Sequence, residues 1–291
     1  MIRVALTTRI AHVAAGHSLG SVQSPRLVAS DVDGTLLGEG GELSDRTRAV
    51  VGRMVADGVP LVLATGRPPR WVPRVCDALG VRPLTVAANG AVLYDAATDR
   101  VLAAETLDVD ALAEVVDGLR AAIPGCGIAV ERVGDGAFDR RDQQFVSDPA
   151  YVHAYPLPDH RQVAPGELLA EPVIKVLARH PTLDSATMAT QARPAVGHLV
   201  DVTYSAGGGL LECAVRGVTK ATGLARAAAH HGVGAADVVA FGDMPNDLAM
   251  LAWAGHGVAV ANAHPDVLCV ADEVTASNLE DGVASVLERW F

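Results

Sequence analysis

The chain has 291 residues, of which 50% are apolar, 20% charged and 4% aromatic, and this length favours about two domains with a sizeable core. The composition excludes a disulfide-stapled mini-protein and, for most of the chain, intrinsic disorder. A net charge of −11 repels nucleic acid and anionic lipid, and no apolar run is long enough to span a bilayer, so we expect neither as a direct partner.

The N-terminal stretch, residues 1–25, is interpreted as a loose extension, because its apolar run is short and interrupted by histidine. A cleaved targeting segment remains an alternative. The four cysteines lie far apart, without the spacing of a metal or redox site: Cys76, Cys126, Cys213 and Cys269. We therefore expect buried thiols in a reducing compartment and a cytoplasmic protein.

From residue 26 onwards, short apolar runs alternate with segments of helical periodicity, which predicts β-α-β units and a parallel sheet. Strands are predicted over 27–30, 59–64 and 84–88, and helices over 44–57 and 71–79. After Tyr94 this rhythm stops.

The middle of the chain predicts a second, α+β unit. It has helices over 108–122 and 182–192, a strand over 172–178, and a hairpin of strands over 198–204 and 210–215 around three glycines at 207–209. The alternation then returns with helices over 220–231, 245–253 and 279–290 and strands over 237–241 and 257–260. We predict an α/β fold, in which a parallel-sheet core (26–94 and 216–291) is interrupted by an inserted α+β domain (95–215).

Two carboxylates one residue apart follow the first strand. Asp31 and Asp33, with Gly-Thr after them, fall at the carboxyl end of that strand, where open parallel sheets bind ligands. Two acids there repel each other unless a cation lies between them, and a hard divalent ion such as Mg²⁺ suits oxygen ligands. A solvated Asp-Gly turn is the alternative.

A second pair of acids follows a later strand. Asp243 and Asp247 come after the strand predicted over 237–241 and open a helix. Asp243 before Pro245 also suits a helix N-cap. Capping and metal binding are compatible, so both interpretations stay open.

Two further segments offer groups for an oxyanion. Thr65-Gly66-Arg67 follows the second core strand and supplies a hydroxyl and a backbone N–H. Lys220 begins a helix, where a cation gains nothing from the helix dipole. A surface lysine is the default interpretation of Lys220, but a site of several carboxylates and a phosphate requires a cation.

In chain order, D-x-D-G-T, T-G-R, K and G-D-x-x-N-D resemble the motifs of haloacid-dehalogenase-like phosphatases, over residues 26–291. The insertion between Thr65 and Lys220 resembles the Cof-type sugar-phosphatase branch, whose α+β cap follows the third strand of a Rossmann-like core. Asn89-Gly90-Ala91 and the segment 258–263 also resemble that branch.

The resemblance implies a division of catalytic labour. Asp31 would be the nucleophile that forms an aspartyl-phosphate, and Asp33 would act as general acid and base. Thr65, the Gly66 N–H and Lys220 would hold the equatorial phosphoryl oxygens.

It also implies a magnesium cofactor and a substrate side. The side chains of Asp31 and Asp243 and the main-chain carbonyl of Asp33 would ligate Mg²⁺. Asp247 would support the site. The candidates for substrate contact are Gly66, Arg67, Asn89, Lys175 and Asn246. Lys175 lies in an apolar strand, so it points either to solvent or into the cleft. Arg70 is expected at a solvated surface, with binding of an anionic substrate as the alternative.

We therefore expect a Mg²⁺-dependent phosphatase that hydrolyses a small phosphorylated metabolite, with sugar phosphates as the leading class. A phosphomutase or phosphotransferase would use the same aspartyl-phosphate, and the motifs do not separate the two. A non-catalytic phospholigand-binding protein is the third possibility, although it would not need both Asp31 and Asp33. The sequence gives no oligomeric state.

Overall fold

The computed structural model describes residues 24–38, 40–152, 160–204 and 208–291. Most of the predicted N-terminal extension, residues 153–159 and the first of the three glycines at 207–209 lie outside the described residues. The described strands are β1 (Leu27–Ser30), β2 (Leu61–Ala64), β3 (Leu84–Ala87), β4 (Val92–Asp95), β5 (Arg100–Ala104), β6 (Gly127–Glu131), β7 (Phe145–Ser147), β8 (His160–Gln162), β9 (Lys175–Arg179), β10 (Val200–Thr203), β11 (Leu210–Val215), β12 (Val238–Gly242), β13 (His256–Ala259) and β14 (Glu273–Val274).

The described α-helices are α1 (Asp45–Ala56), α2 (Val72–Leu79), α3 (Val109–Ala122), α4 (Arg141–Gln144), α5 (Pro165–Leu168), α6 (Ser185–Val196), α7 (Lys220–His230), α8 (Leu248–Trp253), α9 (Pro265–Val270) and α10 (Gly282–Leu287). Their caps follow the sequence: Ser44 accepts a hydrogen bond from the Thr47 N–H at the start of α1, and Gly80 ends α2 with φ 75°. The last predicted helix is shorter than expected, because Asp281 adopts φ 59° and separates α10 from a 3₁₀ turn at Asn278–Glu280.

The larger sheet has the order β14-β13-β12-β1-β2-β3-β4-β5. Its strands are parallel from β14 to β3, and β4 and β5 add an antiparallel edge. All residues of β1, β2 and β12 are buried, as expected of parallel strands covered on both faces by helices. The predicted α/β class is confirmed.

The larger sheet extends further along the chain than predicted. The first segment of the core was expected to end at Tyr94, but β5 forms a hairpin with β4 and belongs to this sheet. The alternate residues of β5 are exposed, because an edge strand of an antiparallel pair can face water on one side. Its sequence, Arg-Val-Leu-Ala-Ala, shows no alternation of apolar and polar residues, which explains why the sequence did not reveal this strand.

The smaller sheet has the order β10-β11-β9-β6-β7-β8 and comes from residues 127–215. Its strands pair antiparallel except for β7 and β8. The apolar sides of α3 and α6 pack on it and form a separate hydrophobic cluster around residues such as Leu112, Ile128 and Met188. The two sheets therefore have separate cores.

Cys76, Cys126 and Cys213 are buried, whereas Cys269 is exposed on α9. The expectation of buried thiols is thus wrong for Cys269. Among the described residues, no helix has both the length and the apolar character needed to cross a membrane.

Candidate active site

The site lies at the carboxyl ends of four adjacent strands of the larger sheet. The register sets Ser30 of β1 beside Phe241 of β12 on one side and Leu63 of β2 on the other. The residues that follow these strands therefore meet at one edge of the sheet. This arrangement brings together Asp31, Thr65 and Asp243, which are far apart in the sequence.

Three carboxylates and one ammonium group form a buried cluster. Asp31, Asp243 and Asp247 each place an oxygen within 4.8 Å of the others. Lys220 Nζ donates hydrogen bonds to Asp31 Oδ1 at 2.5 Å and to Asp247 Oδ1 at 2.7 Å. The Lys220 side chain is 1% exposed, so the default interpretation of a surface lysine is wrong.

Hydrogen bonds fix the two later acids differently. Asp247 Oδ2 accepts from the backbone N–H groups of Asp243 and Met244, at 3.1 and 3.0 Å. Asp243 Oδ1 accepts from Thr35 Oγ1 at 2.7 Å. Asp247, and not Asp243, therefore satisfies the amides at this helix start, and the capping interpretation of Asp243 is wrong.

The cluster has strongly shifted proton affinities. Burial raises the pKa of Asp31 well above its usual value, although Lys220 opposes this shift, and burial also raises the pKa of Asp243. Burial alone would lower the pKa of Lys220, but attraction to Asp247 and Asp31 outweighs that effect and raises it. Three ionised carboxylates would leave two negative charges beyond the one that Lys220 balances.

The donor set of the cluster fits a hard divalent cation. All of its side-chain ligands are carboxylate oxygens, which Mg²⁺ prefers, and the excess negative charge matches the charge of the ion. Gly34 leaves room beside them: with φ 81°, its added Cβ would lie 2.5 Å from Asp243 Oδ2. A larger residue there would push on one of the candidate metal ligands.

The residues after β2 lie beside the second acid of the first motif. Arg67 Nε and Nη2 donate to the two oxygens of Asp33, at 2.8 and 2.5 Å. Thr65 Oγ1 accepts from the Arg67 backbone N–H at 3.0 Å, which leaves the hydroxyl proton of Thr65 to donate elsewhere. The Asp33 side chain is 58% exposed, in contrast to the buried Asp31.

A strained turn follows β3. Ala88 and Asn89 have φ values of 50° and 58°, which non-glycine residues rarely adopt. An added Cβ on Gly90, the next residue, would lie 2.1 Å from the Thr219 carbonyl oxygen. The turn is thus packed tightly against the start of α7, the helix that begins with Lys220.

The turn aims Asn89 at two partners. Asn89 Nδ2 donates to Glu212 Oε2 at 3.0 Å, and Asn89 Oδ1 accepts from Asn246 Nδ2 at 3.0 Å. Asn246 Oδ1 is buried without a hydrogen-bond partner. This atom offers an acceptor that a bound molecule could satisfy.

The smaller sheet reaches the site through two charged residues. Lys175 Nζ donates to the Gly66 carbonyl oxygen at 3.2 Å and to Glu212 Oε2 at 3.1 Å. Of the two orientations left open for Lys175, the side chain therefore takes the one toward the cleft. Lys175 and Lys220 are also the only lysines of the chain, and both are buried here.

The sequence analysis missed Glu212. In β11 the residues on either side of it, Leu211 and Cys213, are buried in the apolar cluster of the smaller sheet, so Glu212 lies on the opposite face. A lone acid in an otherwise apolar strand just before Lys220 was the available signal. Its partner could not be inferred, because the contact with Asn89 spans 123 positions.

These residues surround a cavity of about 290 Å³. It is lined by Asp31, Asp33, Gly66, Arg67, Trp71, Asn89, Glu212, Met244 and Asn246. Most of the expected substrate-side residues are thus at the cavity wall, while the Lys175 ammonium group lies behind Glu212.

Arg70 differs from its expected position at a solvated surface. Its side chain is 1% exposed, forms an ion pair with Glu131 of β6, and stacks near Trp71 and Phe145 at 5.2 and 5.6 Å from the ring centres. Arg70 precedes α2 and Glu131 belongs to the smaller sheet, so this buried pair connects the two parts of the molecule.

Comparison with known proteins identifies the family of the chain. The family model of the haloacid dehalogenase-like hydrolases matches residues 28–287, and the chain belongs to this family. The chain is 29% identical over 272 residues to the 5-amino-6-(5-phospho-D-ribitylamino)uracil phosphatase YitU of Bacillus subtilis, covering 92% of this chain and 98% of the relative. It is 26% identical over 299 residues to the phosphatase YwpJ of Bacillus subtilis, covering 91% and 99%.

Solved structures have the same fold. A haloacid dehalogenase-like hydrolase from Bacteroides thetaiotaomicron aligns with a TM-score of 0.74 at 25% identity, covering 91% of this chain and 99% of that one. The subclass IIB sugar phosphatase BT4131 aligns with a TM-score of 0.72 at 21% identity, covering 91% and 98%. The resemblance seen in the motifs and the predicted enzyme class, a phosphoric monoester hydrolase, are both confirmed.

Proposed function

We propose that this enzyme is a Mg²⁺-dependent phosphatase that hydrolyses a small phosphorylated metabolite through an aspartyl-phosphate, with sugar phosphates as the leading class. One observation carries the proposal: Asp31, Asp243 and Asp247 converge on Lys220 beside a cavity at the strand ends. Such a buried excess of negative charge is costly for a fold and suits a site built for a cation and a phosphate.

Asp31 is the proposed nucleophile. One of its carboxylate oxygens attacks phosphorus, the bond from phosphorus to the ester oxygen breaks, and the alcohol leaves while phosphate stays on Asp31. Lys220 supports this role, because its bond to Asp31 Oδ1 fixes the carboxylate and its charge favours the ionised, attacking form. Water then attacks the aspartyl-phosphate and releases inorganic phosphate.

Asp33 is the proposed general acid and base. It protonates the departing ester oxygen in the first step and takes a proton from the attacking water in the second. Its carboxylate is held by both nitrogen donors of Arg67, so this ion pair must open when substrate arrives. The exposure of Asp33 permits that movement.

The equatorial oxygens of the phosphoryl group need hydrogen-bond donors. The Thr65 hydroxyl, the Gly66 N–H and the Lys220 ammonium group are proposed for this role, since charge spreads over these oxygens in the transition state. Thr65 keeps its hydroxyl proton for this purpose, because its oxygen accepts from the Arg67 N–H.

Asp31, Asp243 and the main-chain carbonyl of Asp33 are the proposed ligands of Mg²⁺. When bound, the ion would neutralise charge on the phosphoryl oxygens. Asp247 is proposed to position the site, because its oxygens are engaged by Lys220 and by two backbone amides.

The two sheets are proposed to correspond to a catalytic core and an inserted cap. The cap would cover the cavity during the reaction and exclude bulk water. Contacts from Lys175 to Gly66 and from Glu212 to Asn89 support this arrangement. The similarity to a phosphatase of a phosphorylated ribityl compound supports a hydroxylated substrate.

A phosphate-release assay with the full chain tests the proposal. We expect release from p-nitrophenyl phosphate and from a panel of sugar phosphates with Mg²⁺, and its loss with EDTA. Asp31→Asn should abolish turnover with the fold intact, whereas Asp45→Asn, at an exposed position on α1, should leave it unchanged. Full activity of Asp31→Asn would remove Asp31 from the mechanism.

The same assay separates the phosphotransferase alternative. If a sugar hydroxyl added to the reaction captures the phosphoryl group, sugar phosphate forms at the expense of inorganic phosphate. Release of inorganic phosphate alone supports hydrolysis. Phosphate binding without any turnover would instead support a non-catalytic binding protein.

A further inference from the structure

We propose that Glu212 makes the cavity select leaving groups by charge, favouring neutral or cationic hydroxylated compounds and rejecting those with a second anionic group. This inference rests on the proposed phosphatase function and extends it to the class of substrate. It starts from the position of Glu212, which is the single cavity-lining residue contributed by the smaller sheet among the residues that the structure describes.

Glu212 is held in a fixed position. Lys175 Nζ and Asn89 Nδ2 both donate to its Oε2, at 3.1 and 3.0 Å. The Glu212 side chain is 12% exposed and that of Lys175 is 7% exposed. A carboxylate so enclosed and so bonded cannot swing away from a bound molecule without breaking these contacts.

The position of the phosphoryl group at one end of the cavity implies that Glu212 faces the leaving group. Asp31, Thr65 and the Gly66 N–H mark the end that holds the phosphoryl group, as proposed above. Glu212 is joined to Asn89, and Asn89 to Asn246. This chain of polar groups offers hydrogen bonds to hydroxyls or amines, while Trp71 and Met244 supply the apolar part of the wall.

The charge balance of the cavity disfavours a second anion. Within the described part of the chain, the cationic groups around it are each in an ion pair: Lys220 with Asp31 and Asp247, Arg67 with Asp33, and Lys175 with Glu212. A second phosphate or a carboxylate on the substrate would meet Glu212, and Lys175 is already engaged by that carboxylate. Like charges placed together are an effective means of excluding a wrong partner.

Three six-carbon sugar or sugar-acid monophosphates of similar size test this inference, because they differ in the charge of the leaving group. These are glucosamine 6-phosphate, glucose 6-phosphate and 6-phosphogluconate. With the full-length enzyme and Mg²⁺, we expect kcat/KM to fall in that order, with about a tenfold or greater loss for 6-phosphogluconate relative to glucose 6-phosphate. Higher ionic strength should reduce this ratio.

Glu212→Gln should raise the relative kcat/KM for 6-phosphogluconate about tenfold and lower the preference for glucosamine 6-phosphate, because Lys175 then lacks its carboxylate partner. Ratios between substrates are compared, so a smaller fraction of folded variant does not change the result. Glu114→Gln, at an exposed position on α3, serves as the matched control and should retain the wild-type ratios.

If one of the three compounds binds without turnover, its affinity is measured from its inhibition of p-nitrophenyl phosphate hydrolysis. We expect the same order of the three compounds. Equal ratios for the three compounds, or unchanged ratios in Glu212→Gln, would overturn the inference. So would p-nitrophenyl phosphate hydrolysis that none of the three compounds affects. Failure of the proposed phosphatase function is distinguishable from failure of this inference, because the wild-type enzyme would then release no phosphate from any compound.

Discussion

The two sheets contribute very unequally to one cavity. The larger sheet supplies the groups proposed to react, and these follow β1, β2, β3 and β12, whose parallel pairing fixes their mutual positions. Among the residues that the structure describes, the smaller sheet supplies a single wall residue, Glu212, and the buried Lys175 behind it. The proposed reaction chemistry is thus distributed over several strand ends, whereas the proposed discrimination between substrates depends on one carboxylate.

After Asp31→Asn, the largest expected effect in the larger sheet comes from Asp33→Asn. Turnover of a sugar phosphate should fall by about 10²–10⁴-fold, the usual contribution of a general acid-base group. With p-nitrophenyl phosphate the first step should survive, because nitrophenolate leaves without a proton. Stopped-flow absorbance should then show a burst of p-nitrophenol, followed by a slow steady rate.

Asp45→Asn is the control for this experiment, since Asp45 lies on the exposed side of α1. A wild-type steady-state rate in Asp33→Asn would contradict the assignment. A slow rate without any burst would show that Asp33 is needed before the aspartyl-phosphate forms.

The next largest effect is expected for Lys220→Met, which leaves Asp31 and Asp247 buried without their cation. We expect a loss of about 10²–10³ in kcat and a fall of about 3–5 kcal/mol in the free energy of unfolding. Urea denaturation measures the second quantity. Added Mg²⁺ should restore part of the stability, because an ion that binds only the folded state stabilises it.

Arg74→Met, at an exposed position on α2, provides the matched control for Lys220→Met and should leave both quantities near the wild type. A stable and fully active Lys220→Met variant would contradict the role proposed for Lys220 and, with it, the assignment of the reacting groups to the larger sheet.

A purely structural effect is expected for Arg70→Met, at the buried contact between the two parts. The ion pair between Arg70 and Glu131 would be lost, and the free energy of unfolding should fall by about 3 kcal/mol. kcat/KM should change little, because Arg70 does not line the cavity. The double variant Arg70→Met, Glu131→Gln should recover part of the loss, and failure to do so would show that the pairing is not the source of the effect.

The smallest expected effect is a difference in reactivity between the buried cysteines of the two cores and the exposed Cys269. Burial raises the pKa of Cys76 to about 11 and that of Cys213 to about 12, and it also raises the pKa of Cys126. Because thiolates are the reactive form, Ellman's reagent should modify Cys269 alone in the folded protein and all four thiols in urea. Rapid reaction of a second thiol would show that one of the two cores opens.

The sequence predicted well which residues meet at the strand ends, because the signal for each of them is local. Asp31 and Asp243 each follow a short buried strand, and parallel pairing alone then brings the strand ends together. The position of Asp243 also shows the limit of local patterns, since the capping expected of it is carried out by Asp247.

The sequence predicted the smaller sheet's contribution poorly because that depends on contacts between distant segments. Lys175 could equally face solvent until its bonds to Gly66 and Glu212 were known. Arg70 was expected at the surface, yet its burial depends on Glu131 and Phe145. No period or motif encodes such pairings.

The burial of both lysines also determines how this protein reacts with amine-directed reagents and with lysine-modifying enzymes. Of its 23 basic residues, only Lys175 and Lys220 carry primary amines on their side chains, and each is enclosed in an ion pair. Amine-directed cross-linkers and acylating agents therefore find no exposed side-chain amine on the folded chain. Any lysine adduct would report that the cavity wall had opened.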